Sequence, residues 1–322
     1  MTRLLPAAFA CLLSSTALAD APRVLTDIAP VHSLVARVMD GVGTPELLVS
    51  SGQSPHAAAL RPSQARALQG ADLVVWIGPE LTPWLEKPLS TLAEGVTQLE
   101  LLEAAGTAVR RYRDPGEAGH EDHEEHDGHA GLGHDNHADH AEGEEHRHDH
   151  SGTDPHAWLD PANAAAWLSG IAEHLAAKDA DNAADYRANA EAAMKELAAL
   201  TADLDTRLAP AKGRKVATFH DGYQYFEARF GILSAGALAL GDASSPSPAR
   251  VAALRDTLAH DDIACVFTEP QFDTRLLEAA AEGSPVRIAV LDPLGAHLEP
   301  GPGLYPRLLT AMAESISACL AP

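Results

Sequence analysis

The stretch Ala180–Leu208, ADNAADYRANAEAAMKELAALTADLDTRL, decides the fold. Its apolar positions, Tyr186, Ala190, Ala193, Leu197, Leu200 and Leu204, recur at spacings of four and three, which places them on one face of a helix. Pro210 and Gly213 stop it. The pattern predicts one helix of about 29 residues, about 43 Å long at 1.5 Å per residue. That is long enough to run along two lobes.

Strand and helix patterns alternate on both sides of it. Upstream, Arg23–Ile28 reads as a strand, Val31–Met39 as a helix and Glu46–Val49 as a second strand before the turn-rich Ser50–Pro55. Arg61–Leu68 reads as helical, Asp72–Ile77 (DLVVWI) as a nearly continuous apolar strand and Thr97–Leu101 as a fourth. A helix from Pro161 to about Lys178 follows, with Asp160 as N-cap and Pro161 at its first position. Downstream, strands are predicted at Lys215–Phe219, Ile263–Thr268 and Arg287–Leu291, with Gly231–Leu238 a strand or extended loop. Helices are predicted at Tyr223–Phe230, Pro248–Leu258, Thr274–Gly283 and Tyr305–Leu320. Such alternation implies mostly parallel sheets covered on both faces. The expected fold is therefore α/β, with two similar lobes joined by one long helix. The expected division is a signal segment 1–19, an N-terminal lobe 20–178, a linking helix 179–209 and a C-terminal lobe 210–322.

Inside the first half lies DPGEAGHEDHEEHDGHAGLGHDNHADHAEGEEHRHDHSGTDPHAWLDP, residues 114–161. Ten of the chain's 17 histidines lie between His120 and His150: His120, His123, His126, His129, His134, His137, His140, His146, His148 and His150. Thirteen carboxylates between Asp114 and Asp149 face one Arg147, so about twelve charges of the net −23 are local. A segment so polar cannot bury enough apolar surface to fold alone. The expectation for 114–152 is a disordered acidic loop that attracts divalent metal weakly, zinc foremost. A plain solvated linker is the alternative. Apolar residues then return around a lone His156, which Trp158 and Leu159 follow.

Met1–Ala19 has the form of a secretory signal: Arg3, an apolar run, and the small residues Ala17 and Ala19 before cleavage. Cys11 lies inside it in a poor context for lipid attachment, so the mature chain is expected to be soluble and to begin at Asp20. Cys265 and Cys319 then remain. An even pair in an oxidising compartment reads as a disulfide, with two buried free thiols as the alternative. The acidic balance argues against nucleic-acid binding, and no phosphate loop, GxSxG or HExxH motif is present.

Ligand sites in open α/β sheets form beyond the carboxyl ends of strands. His56 follows the second strand, His220 ends VATFH and Asp292 ends IAVLD. With His156 they can converge in the cleft between lobes, and three imidazoles plus one carboxylate suit tetrahedral zinc. Singly each is weak: a loop His56 is more often a surface histidine, and Asp292 before Pro293 can simply begin a turn. His174 and His260 lie on or beside predicted helices among solvated residues, and His32 begins one. These, with His297, stay outside the expected site.

These motifs resemble a known family over nearly the whole mature length. SPHAAALRPSQARALQGADLVVWIGPELTPWLEKPLS, DPHAWLDP, FHDGYQYFEARFG, ACVFTEPQF and VLDPLG together resemble the ZnuA family of periplasmic zinc-binding proteins, within the cluster A-I metal-binding components of ABC importers (solute-binding protein family 9). The resemblance implies two α/β lobes joined by a rigid long helix, with His56, His156 and His220 as zinc ligands. It matches Asp292 to a carboxylate that many relatives use as fourth ligand. Some zinc-type members instead have glutamate before the first histidine. Pro55 stands there, leaving Asp292 or water. Cys265 and Cys319 match a disulfide of zinc-type members. The implied function is capture of Zn²⁺ and delivery to a membrane permease driven by a cytoplasmic ATPase, by a monomer without enzymatic activity. Neutral imidazole is the ligand form, so binding should weaken as pH falls toward ~6.5. The alternatives are a manganese or iron carrier, a secreted zinc hydrolase with Glu269 as the nearest candidate base, and a metal buffer with no transporter.

Overall fold

The computed structural model describes residues 21–113, 152–239, 247–260 and 262–321. The expectations for Met1–Ala19, for Asp20 as the first mature residue and for the ten histidines from His120 to His150 lie outside these residues.

The first half builds a parallel sheet from β1 (Val24–Thr26), β2 (Glu46–Leu47), β3 (Leu73–Trp76) and β4 (Thr97–Glu100), in the order β2-β1-β3-β4. The crossovers carry α1 (Ala29–Val38), α2 (Pro62–Gln69) and α3 (Pro83–Leu92). β1 and β3 are buried at every position, as a sheet covered on both faces requires. A two-stranded antiparallel ribbon, β5 (Arg110–Arg111) with β6 (Thr153–Asp154), then brings together the two stems of the His-rich segment. Next come α4 (Pro161–Lys178) and α5 (Ala183–Arg207).

The second half repeats the plan. Its strands are β7 (Lys215–His220), β8 (Leu233–Ala239), β9 (Ile263–Thr268) and β10 (Arg287–Val290). Its helices are α6 (Gln224–Phe230), α7 (Pro248–His260), α8 (Arg275–Ala281) and α9 (Leu304–Leu320). The sheet order is β10-β9-β7-β8, all parallel. Read from the second strand of each half, both sheets run second-first-third-fourth, so the two halves share one topology. In β8 the pairing moves from Val216–Ser234 to Thr218–Ala237, three steps against two. Gly236 sits at this bulge with φ +120°, a conformation glycine adopts without a Cβ clash. The bulge explains why the sequence there wavers between strand and loop.

The long helix is shorter than its periodicity suggests. Asp179 accepts from the Asn182 amide (3.4 Å) and side chain (2.7 Å) and from Tyr186 Oη (2.9 Å). That capping holds Ala180–Asn182 in a 3₁₀ turn, and α5 keeps 25 residues, about 38 Å. Tyr186, Ala190, Ala193, Leu197 and Leu204 are buried, and Leu200 is partly so. This face packs on α4 and on one helix from each half, α1 and α9. One apolar core runs from Val24 of β1 through α1, α4 and α5 to Leu320 of α9, and smaller cores lie under the outer face of each sheet. The halves therefore share a packed interior. Cys265 in β9 and Cys319 in α9 form a disulfide, with Cα atoms 6.0 Å apart. It ties the closing helix to the second sheet. Helix α3 lacks a clear sequence signal because Pro88 lies inside it and interior prolines normally argue against a helix.

Candidate metal site

His220 is the last residue of β7, at the carboxyl edge, where strand order reverses direction between β8 and β9. Glu269 directly follows β9, and its Oε1 lies 2.6 Å from His220 Nδ1. His156 follows β6 and precedes a 3₁₀ turn, Ala157–Leu159. Its Nδ1 lies 2.7 Å from Asp154 Oδ1, which also accepts the His156 amide at 3.0 Å. Each imidazole thus donates Nδ1–H to a carboxylate, which fixes the tautomer and turns Nε2 outward as an acceptor. The two Nε2 atoms face each other at 3.2 Å. Two lone pairs held so close call for a cation between them. Two nitrogens on one tetrahedral zinc, each ~2.0–2.1 Å from it, stand about 3.3 Å apart. The pair is spaced for that ion.

His56 lies in the irregular segment after β2, a turn held by Trp84 Nε1 donating to Pro55 O at 2.7 Å. Its ring centroid is 5.6 Å from that of His156, and His156 and His220 are 5.1 Å apart. Among the described residues no three candidate ligands converge tightly enough to hold an ion as they stand.

Asp292 follows β10, but its oxygens serve its own turn. Oδ1 accepts the Leu294 and Gly295 amides at 3.0 and 2.9 Å, and Oδ2 accepts Ala296 at 2.6 Å. Gln271 Nε2 reaches Oδ1 at 3.4 Å. His156 and His220 border a small pocket whose wall also includes Pro55, Trp158, Glu269 and Gln271. Trp158 is fixed by its indole N–H on Pro293 O at 2.8 Å. His32, His174 and His260 bond instead to backbone carbonyls of Pro45, Gly170 and Asp256.

Three contributors carry no metal-ligand signature in the sequence. Asp154 and Glu269 aim the imidazoles. Gly222 leaves room for one: a Cβ there would stand 2.1 Å from His220 Nε2. The signals were DPH, TEP and HDG, motifs whose roles emerge only in three dimensions. Half-buried Arg113 pairs with Asp221 Oδ1 at 3.1 Å and with Glu227 Oε2. Burial pushes the Glu227 carboxyl up to about 7, against the pull of Arg113. Burial likewise raises Asp221, again opposed by Arg113.

Two like-built parallel sheets meeting at a pocket of aligned imidazoles define a two-lobed α/β protein with a site fit for a borderline divalent metal. The family model ZnuA, described as zinc-uptake complex component A, periplasmic, matches residues 24–319, and the chain belongs to this family. It is 52% identical over 303 residues to the high-affinity zinc uptake system protein ZnuA of Paracoccus denitrificans (strain Pd 1222), covering 94% of this chain and 93% of that one. It is 42% identical to the protein of the same name from Brucella abortus (strain 2308), covering 92% and 91%. A crystal structure of ZnuA superposes with a TM-score of 0.72 at 26% identity, over 94% of this chain and all of that one. A zinc-bound ZnuA lacking residues 138–173 of its own numbering matches equally well. The periplasmic zinc-binding protein TroA of Treponema pallidum shares the fold, with a TM-score of 0.73 at 20% identity.

Proposed function

We propose that this protein captures Zn²⁺ in the periplasm and hands it to the membrane permease of an ABC importer, driven by a cytoplasmic ATPase. The 3.2 Å approach of His156 Nε2 to His220 Nε2, each ring anchored through Nδ1 to a carboxylate, carries the reading. His156 and His220 form a preset half-site, His56 closes over the ion, and Asp292 or water takes the fourth position. The relatives' names as zinc uptake proteins support zinc as the cargo. In the same reading the chain is a monomer exported by cleavage after Ala19, and the loop 114–152 collects zinc weakly. Lobes 20–178 and 210–322 are bridged by 179–209.

Delivery needs no chemistry, and the surroundings suit that. Glu269, the nearest candidate for a general base, is hydrogen-bonded to His220, which disfavours a hydrolase. Manganese prefers more oxygen ligands than this imidazole set offers. The test is titration of demetallated protein with Zn²⁺ and Mn²⁺ against a chromophoric chelator. One tight zinc equivalent, weakened at least roughly tenfold by His156→Ala or His220→Ala, supports the proposal. Unchanged affinity in both variants would remove these residues from the site.

A further inference from the structure

Gln271 borders the same pocket as His156 and His220. Its Nε2 donates toward Asp292 Oδ1. That contact sets the direction of the amide, because the reversed amide would turn its own oxygen on a carboxylate oxygen. Oε1 is thereby turned away from Asp292. It is buried, and among the described residues it has no hydrogen-bond donor. A buried acceptor without a donor costs free energy, and side-chain amides rarely remain so. The strongest donor the pocket can offer is a water polarised by a bound cation. Asp292, already accepting three backbone amides, is poorly placed to give a lone pair to a metal as well.

We propose that Gln271 is a positioning residue of the zinc site: Oε1 accepts a hydrogen bond from a water that is the fourth zinc ligand, and Asp292 holds Gln271 in place. The inference rests on the zinc-binding reading above. It assigns the fourth position to solvent and gives the site a second anchor for the cargo beyond the three imidazoles. Water is also the ligand most easily exchanged when cargo is handed on.

The test uses the full chain. Gln271→Met keeps side-chain length and removes the acceptor. The expected result is about a tenfold loss of zinc affinity with one tight equivalent retained. The visible absorption of the protein carrying one equivalent of Co²⁺ should also change, a readout that a merely structural role would not move. Wild-type affinity together with a wild-type cobalt spectrum would overturn the assignment. Should the variant fail to fold, a crystal structure of the zinc-loaded wild type decides. A solvent oxygen bonded to both zinc and Oε1 supports the proposal, and an Asp292 oxygen on zinc refutes it. His220→Ala separates the two readings. If that variant binds zinc as the wild type does, the zinc site itself is misassigned and the role of Gln271 falls with it. If His220→Ala is weakened while Gln271→Met matches the wild type in both zinc affinity and cobalt spectrum, only the Gln271 role fails.

Discussion

Arg229 and Asp160 form a two-point ion pair between the halves: Nε lies 2.7 Å from Oδ1, and Nη2 lies 2.7 Å from Oδ2. Asp160 also caps α4 through the Ala162 amide at 2.8 Å. The pair is one of several bonds from α6 to the first half. Gln224 reaches Arg111 O and Asp154 Oδ2, Tyr225 bonds Arg110 N and Asp154 O, and Glu227 pairs with Arg113. The ribbon that ends the His-rich segment, and the carboxylate that aims His156, are thus fastened to the second half. A double-mutant cycle with Arg229→Met and Asp160→Asn, which keeps a capping oxygen, should give a coupling of about 1 kcal/mol. That is the upper range for a pair still partly exposed. Urea unfolding of the zinc-free protein measures it, and additive single effects would show that the pair contributes nothing.

Gly222 should be irreplaceable for a steric reason. A Cβ 2.1 Å from His220 Nε2 occupies the space where a metal would bond that nitrogen. Relief by rotating the ring would break the Glu269 contact. Gly222→Ala is expected to fold, with unaltered far-UV circular dichroism, and to lose tight zinc binding by at least about a hundredfold. Chelator competition reads this directly, and wild-type affinity in Gly222→Ala would contradict the geometry.

Cys265 and Cys319 are 54 residues apart, and closing a loop of that length restricts the unfolded chain by about 4 kcal/mol in the chain-entropy model. Reduced protein, or Cys265→Ser with Cys319→Ser, should unfold at clearly lower urea concentration. Zinc affinity should change little, because the bond joins β9 to α9 away from the histidines. Two free thiols titrated in unreduced mature protein would remove the premise.

Periodicity made the backbone legible. The alternating apolar runs gave both parallel sheets, and the four-and-three spacing gave the buried face of α5. What periodicity cannot carry is which residues share an interior, so the core running across both halves emerged only from packing. The site divides the same way. His156 and His220 could be placed because each sits at the end of a recognisable strand or motif. Asp154 and Glu269 could not, since a carboxylate's task as an orienting partner depends on a contact, as short as the 2.6 Å between His220 and Glu269, between residues 49 positions apart. Asp292 shows the limit most clearly: a strand-end aspartate before proline reads equally as ligand or turn clamp, and only the three amides on its oxygens reveal how it is engaged.

The last prediction concerns pH and Glu227. Its carboxyl is pushed up to about 7 by burial, with Arg113 opposing and Asp221 and Asp154 adding to the rise. In the unfolded chain it titrates near ~4.3. The folded state therefore holds this proton more tightly than the unfolded state, so stability falls as pH rises wherever the native state binds more protons. The contribution is fully present below about pH 4 and is lost as pH rises through about 7, at about 1.4 kcal/mol per unit of pKa difference. Asp27, fully buried and likewise raised to about 7, adds a slope of the same sign, so the diagnostic quantity is a difference between proteins. Glu227→Gln keeps an oxygen for Arg113 and cannot ionise. Zinc-free wild type and Glu227→Gln should be closest in stability at about pH 4, below the unfolded-state pKa. By pH 8 the variant should be the more stable by an amount on the order of 1–3 kcal/mol. Urea unfolding at a series of pH values measures both curves. Parallel curves would mean that Glu227 keeps an ordinary carboxylate pKa beside Arg113, and a gap that closes with rising pH would reverse the assignment of burial as the dominant cause.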